Sequence, residues 1–342
     1  MAAFQMCDSA LTLELETIFP TGLFPFPIKI KESSIDIPVV RKHDRMSSMG
    51  ILLGIVAALF WGAGDMCARF STHRIGTYRT LFFMQFVGFT GLGIFLLITG
   101  QLQHIVTSTT WQPWAWAALA ALLNVFSSLA LYRAFEVGTL TLVSPIASSY
   151  AAVTAILAFL SGEALTRWHS IAIWLILLGV VVAATPLIGS SAKKSLATIL
   201  QHGVALQGIG WAVAAALGYG LTFWVLGFHV TALLGGIVPV WLMRGLTPCI
   251  LASGAPLTRR SLRLPRGGVW WYILGVSIFD TVAYIAYTSG LLWGQVSLVT
   301  MLSSLYSAVT VLLAWIFLRE RLQRSQWIGI GVIFVGIVLV NV

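Results

Sequence analysis

The chain has 342 residues, 58% of them hydrophobic and 9% charged, with a mean hydropathy of +0.92. Soluble domains carry roughly 25% charged residues, so a soluble domain, a disordered chain, a collagen and a coiled coil are excluded; three cysteines are too few for a disulfide framework, and Cys67 and Cys249 read as small apolar filler. The net charge of +9 is uneven: residues 1–48 hold five Lys/Arg and six Asp/Glu, net −1, and the remainder fifteen and five, net +10. Those cations fall mostly in short connections between apolar runs, where they meet lipid headgroups, and nothing resembles a nucleic-acid-reading surface.

Residues 1–48 mix acids, prolines and scattered apolar residues without a run long enough to cross a bilayer and without the pattern of a signal peptide. They read as a non-membrane extension, either a disordered tail or a start-site artefact, since Met46 and Met49 stand just before the first apolar run. Deleting 1–45 is accordingly expected to leave insertion and transport unchanged, with intact-mass analysis of the protein from its own host as the check. From Met49 onward, ten runs approach the roughly 20 apolar residues that a spanning helix needs: 51–68, 80–99, 114–134, 139–160, 170–188, 207–227, 231–252, 269–290, 296–318 and 326–341. Trp111, Trp114, Trp116, Trp168, Trp270, Trp271 and Trp327 stand at run boundaries, as an interfacial aromatic belt does. The ~10-residue alternation of a barrel is not seen. The expected fold is all-α and integral to the membrane.

The chain repeats itself. SSYAAVTAILAFL at 148–160 aligns with SLYSAVTVLLAWI at 304–316, and GILLGIVAALFWG at 50–62 with GIGWAVAAALGYG at 208–220. Glu163 pairs with Glu320, Arg167 with Arg324 and Gly179 with Gly336 at nearly the same offset. Two five-helix repeats are expected, at 49–188 and 207–342, joined by a linker at 189–206. Five is odd, so the second repeat enters from the opposite side and the repeats are inverted, the basis of alternating access in many transporters.

ALFWGAGDMCARF (58–70), the stretch YRAFEVGTLTLVSPIASSYAAV with its Glu163 turn, and FLRERLQRSQWIGIGVIFVGIVLV with Glu320, Arg321, Gln326 and Gly329 resemble the EamA-type branch of the drug/metabolite transporter superfamily. The resemblance covers essentially all of 49–342 and implies ten helices and secondary transport, without naming a cargo.

Ionisable and polar residues inside spans are costly and mark functional candidates. Asp280 lies mid-run in VSIFDTVAYIAY; its counterpart in the first half is Asn124, and a carboxyl there could take up and release a proton. The alternative is an Asp280 hydrogen-bonded to a neighbouring helix. Asp65 precedes Arg69 by four residues, the spacing of a local ion pair. Arg244 serves as a headgroup, packing or substrate contact, as does Arg79. Gln85 and Asn124 can bridge helices, and Trp61, Tyr219, Tyr284 and Tyr287 either pack or line a cavity for a flat or cationic solute. Gly50-x-x-x-Gly54 and Gly290-x-x-x-Gly294 permit close helix approach, in a bundle or a homodimer.

No Walker loop, G-x-S-x-G or H-E-x-x-H occurs, and the six histidines lack metal-ligand spacing. The chain is therefore read as a multi-pass plasma-membrane permease or exporter of a small metabolite or drug-like solute, proton- or exchange-coupled, needing no cofactor and no metal. A membrane protein acting on or flipping a lipid-linked substrate is the alternative. Loops after odd-numbered runs hold thirteen Lys/Arg and those after even-numbered runs only Arg167, which puts both termini outside; the resemblance implies the reverse.

Overall fold

The computed structural model describes residues 38–101, 109–138, 140–164, 167–184, 204–257, 259 and 261–318, with 327–329, 331–332, 335–336 and 339 near the C-terminus. The extension before residue 38, the linker through residue 203, and Glu320, Arg321, Arg324 and Gln326 lie outside the described residues. The described residues from His43 onward form one compact unit.

Helices account for the fold, and there is no strand among the described residues. They are α1 (Pro38–Ile75), α2 (Thr77–Thr99), α3 (Trp111–Val137), α4 (Leu140–Ser148), α5 (Tyr150–Leu160), α6 (Arg167–Ala184), α7 (Val204–Val225), α8 (Thr231–Leu234), α9 (Val238–Gly254), α10 (Val269–Leu291), α11 (Val296–Ser303) and α12 (Tyr306–Leu318). An apolar run satisfies its backbone internally only as a helix, and the glycines after α1 and α2 end it: Gly76 and Gly100 have φ of +81° and +66°, which a side chain resists. Large apolar residues such as Leu97, Ile98, Phe159 and Trp174 face outward, whereas hydroxyls including Ser127, Thr154, Thr222 and Thr310 are buried. That distribution suits a lipid surround.

Seven segments among the described residues are long and apolar enough to cross a membrane: 48–75, 77–99, 111–137, 143–160, 208–234, 269–291 and 296–317. The expected runs at 170–188 and 326–341 fall partly outside the described residues, and two of the others have different bounds. The sixth run does not stop at 227, because α7 continues through a π-helical turn at Leu226–Val230 into α8. The expected run 231–252 thereby loses its first turns, and α9 has 17 residues. Only fragments of 326–341 are described.

Two spans are interrupted at matching places. The fourth breaks between α4 and α5 at Ser149, and the one at 296–317 breaks between α11 and α12 at Ser304–Leu305. Pro145 removes a donor in the first case, but the second carries Met301 at the equivalent position. Both share side-chain hydroxyls bonded back to the preceding turn: Ser148 and Ser149 to the carbonyls of Pro145 and Ile146 at 2.8 and 2.7 Å, Ser303 and Ser304 to those of Thr300 and Met301 at 2.8 and 2.7 Å. Such bonds compete with the helix ladder and bend it.

The packing of the halves is reciprocal. A Cβ on Gly62 would lie 2.5 Å from Val309 and 3.1 Å from the Tyr306 carbonyl; one on Gly220 would lie 2.5 Å from Val153 and 3.1 Å from the Tyr150 carbonyl. Gly50 meets Gly294 and Gly208 meets Gly138, with a built Cβ 2.9 and 3.1 Å from the facing Cα. If i meets j and the counterpart of i meets the counterpart of j, the halves are related by a two-fold rotation. The GxxxG glycines thus serve contacts inside one chain. Cys67 packs against Gly275, while Cys249 is exposed rather than filling the interior.

Two glutamates brace helix starts. Glu136 accepts from the Thr77 hydroxyl at 2.7 Å and its N–H at 3.4 Å, and pairs with Arg133 at 3.0 Å. Glu163 accepts from the Ser297 hydroxyl and from its N–H at 3.2 Å, at the first turn of α11, and Gln295 donates to the Ala164 carbonyl at 2.9 Å. Removing a helix-start acceptor costs about 1 kcal/mol. Glu163→Ala is expected to lower the thermal unfolding midpoint in detergent modestly, with Glu163→Gln retaining most of the stability.

Candidate functional site

The interior polar residues gather around a cavity of about 40 Å³ between the halves. A water needs roughly 10–15 Å³ of such space, so this conformation has room for a few waters and for no larger solute. Trp61 and Asp65 come from α1, Met84 from α2, Ser128 from α3, Tyr150 from α5, Tyr219 and Phe223 from α7, Asp280 and Tyr284 from α10, and Tyr306 from α12.

One wall carries an ion pair. Asp280 Oδ2 lies 2.6 Å from Arg244 Nη1, with the Arg244 side chain 2% and the Asp280 side chain 16% exposed. The same nitrogen donates to Gln85 Oε1 at 2.6 Å, and Trp61 Nε1 donates to Asp280 Oδ1 at 3.0 Å. The guanidinium also lies 5.3 Å from the centre of the Tyr284 ring, a cation–π contact. Arg244 Nη2 and the Thr281 hydroxyl are buried without a hydrogen-bond partner among the described residues. Tyr284 donates to Asn124 Oδ1 at 2.6 Å, joining α10 to α3. Deleting one partner of a buried hydrogen bond costs about 1–3 kcal/mol. Tyr284→Phe should therefore lower stability by that amount, and Tyr284→Phe with Asn124→Leu by less, as measured by thermal unfolding in detergent.

Asp65 sits on another wall. Its Oδ2 accepts from the Thr310 hydroxyl at 3.0 Å and from that of Ser144 at 3.5 Å. Arg69, one turn later, reaches the carbonyls of Phe135 and, at 2.6 Å, Gly138, at the end of α3, where a cation complements the helix dipole. The spacing expected for a local ion pair therefore serves two different helix contacts.

Aromatic rings close the cavity. Trp61 stands edge-on to Tyr284, with centroids 5.1 Å apart. Phe223 lies 5.6 Å from Trp61 and 4.8 Å from Tyr150, and Tyr150 stacks on Tyr306 at 6.1 Å with an interplanar angle of 9°. Hydroxyl pairs link the halves: Tyr150 with Ser303 at 2.9 Å and Tyr219 with Ser128 at 3.0 Å.

Of the residues singled out in the sequence, Trp61, Asp65, Tyr219, Asp280 and Tyr284 line the cavity, while Gln85, Asn124 and Arg244 lie behind it and hold the wall groups. Tyr287 packs behind Trp61 and bonds to Thr300 at 2.7 Å. Arg79 lies elsewhere, donating to the Arg263 carbonyl at 2.6 and 3.1 Å. Tyr150, Tyr306 and Phe223 were missed. The two tyrosines had a legible signal, since they are paired by the repeat and follow the serines that break each span.

The model of the EamA-like transporter family matches residues 48–185 and 206–342. An uncharacterized protein of Methanocaldococcus jannaschii is 31% identical over 133 residues, which is 39% of this chain and 93% of that protein. A protein known from its crystal structure superposes with a TM-score of 0.63 over 86% of this chain and 96% of that one. At 18% identity that likeness is one of fold.

Proposed function

The chain belongs to the EamA-like transporter family, and from that premise we propose that it is a secondary transporter carrying a small solute through the central cavity by alternating access. The observation that carries the reading is the walling of that cavity by both halves, with two carboxylates and a guanidinium held at helix interfaces. A charged group buried in a membrane bundle is expensive to keep, and a carrier has a use for it. The reciprocal packing supports ten spans in two inverted repeats, with the two-fold axis in the membrane plane and the solute site upon it. In that arrangement the present cavity, large enough only for a few waters, corresponds to a contracted state of the cycle. We further propose the plasma membrane as its site and a proton or an exchanged solute as the coupled partner.

Flux into proteoliposomes over a panel of amino acids, sugars and amines, with and without a pH gradient, tests the reading. Asp280→Asn keeps an acceptor for Trp61 and Arg244 while removing the carboxylate. It is expected to insert and fold, yet to lose gradient-driven accumulation at least about tenfold, the size of one lost interaction of ~1.4 kcal/mol. Unchanged accumulation and an unchanged pH profile would make Asp280 a structural residue. Protein-independent flux of every solute would remove the transporter reading.

A further inference from the structure

We propose, resting on the transporter reading above, that the cavity binds a protonated organic amine with an aromatic or apolar body, and that Asp65 receives the ammonium group. The charges on the cavity wall are unequal. Asp280 is matched by Arg244 at 2.6 Å, and the same guanidinium nitrogen is engaged by Gln85. Among the described residues Asp65 has only hydroxyl donors, Thr310 and Ser144, both on Oδ2, and none on Oδ1. Asp65 nevertheless lines the cavity while being only 8% exposed. A buried carboxylate without a cation is a costly arrangement that a cationic ligand relieves.

The rest of the lining has the complementary chemistry. Trp61, Tyr150, Tyr219, Phe223, Tyr284 and Tyr306 present rings to one small space, and aromatic faces attract cations and repel anions through the ring quadrupole. An anionic solute would meet those faces and two carboxylates, while the Arg244 guanidinium lies behind the wall with its Nη1 engaged by Asp280 and Gln85. A neutral solute would leave Asp65 uncompensated. An amine with an apolar body satisfies both the carboxylate and the rings. Room for it comes from parting the links that cross between the halves, Tyr150 to Ser303 at 2.9 Å and Tyr306 to the Ser144 carbonyl at 3.5 Å.

A proton on Asp65 competes with the amine, so affinity falls as the solution is acidified. The titratable and charged groups facing Asp65 are Asp280 with its partner Arg244, Tyr132, Tyr150, Tyr219 and Tyr306, and Arg69 lies one turn along its own helix. The tyrosines are neutral under such conditions, and Asp280 holds its own cation.

Three isosteres that differ in charge test the inference on the full chain in nanodiscs by equilibrium dialysis: phenethylamine, 2-phenylethanol and phenylacetate. The amine is expected to bind at least about tenfold more tightly than either isostere, as one ion pair in a dry site allows. Asp65→Asn should bring amine affinity down to that of the alcohol, abolish its pH dependence and leave the alcohol unchanged, while Asp65→Glu keeps the preference. Size-exclusion chromatography establishes that both variants are folded. Tighter binding of phenylacetate, a retained amine preference in Asp65→Asn, or no binding of any of the three overturns the inference. Flux of neutral solutes that ignores Asp65→Asn would leave the transporter reading standing and sink this one. Amine binding without flux of anything would do the opposite.

Discussion

Asp280→Leu is expected to destabilise the protein far more than Arg244→Met, although each removes one half of the same ion pair. Arginine cannot shed its proton in a protein, so without Asp280 a guanidinium that is 2% exposed stays charged with only the Gln85 amide oxygen to accept from it. Breaking a buried pair in this way costs about 3–5 kcal/mol. Asp280 in the absence of Arg244 is better placed: its side chain is 16% exposed at the cavity, Trp61 still donates to it at 3.0 Å, and it can neutralise itself by taking up a proton. The double variant Asp280→Leu with Arg244→Met should recover most of the loss, since apolar residues of similar volume commonly replace such pairs at little cost. The readout is the fraction of monodisperse protein after a heating series. Equal damage from the two single variants would mean that the pair contributes through packing and not through charge.

Gly62→Ala and Gly220→Ala are expected to be nearly equal in effect, and each should be rescued only by its own partner. An exposed helical Gly→Ala change stabilises by about 1 kcal/mol through propensity. Here the added Cβ would sit 2.5 Å from Val309 or Val153, closer than atoms approach, and overpacking costs typically 1–3 kcal/mol. The clash wins, because the obstructing atoms include the valine Cβ itself, which no rotamer change can move aside. Val309→Gly should restore Gly62→Ala, and Val153→Gly should restore Gly220→Ala; the crossed combinations should not. Thermal unfolding in detergent reads all four. Rescue by the crossed partners would contradict the reciprocal packing of the halves.

Much of this site was legible before any helix was placed. A mid-span Asp280 and a lone Arg244 violate the apolar rule so plainly that each stands out against its own run, and the repeat ties Asn124 to Asp280 and Tyr150 to Tyr306 by offset alone. What was not legible is who meets whom. Arg244 and Asp280 are 36 residues apart on neighbouring helices, and Asp65 and Thr310 are 245 apart. The local spacing of Asp65 and Arg69 suggested a pair, but each found its partner on another helix.

By itself the sequence determined the membrane class, the helical runs, the two-fold repetition and the polar residues that break the apolar pattern. These are local properties, set by hydropathy summed over a turn or a span and by the need to satisfy each backbone group within its own helix. Tertiary structure alone decided that α7 runs on through a π-helical turn and that the serine-broken spans bring Tyr150 and Tyr306 face to face. It also decided that Asp280 is neutralised while Asp65 is not. Those outcomes depend on how closely glycine-faced helices approach and on which rotation about each axis the packing selects. Hydropathy along a chain carries no information about rotation, because lipid-facing and helix-facing sides are both apolar in a membrane bundle.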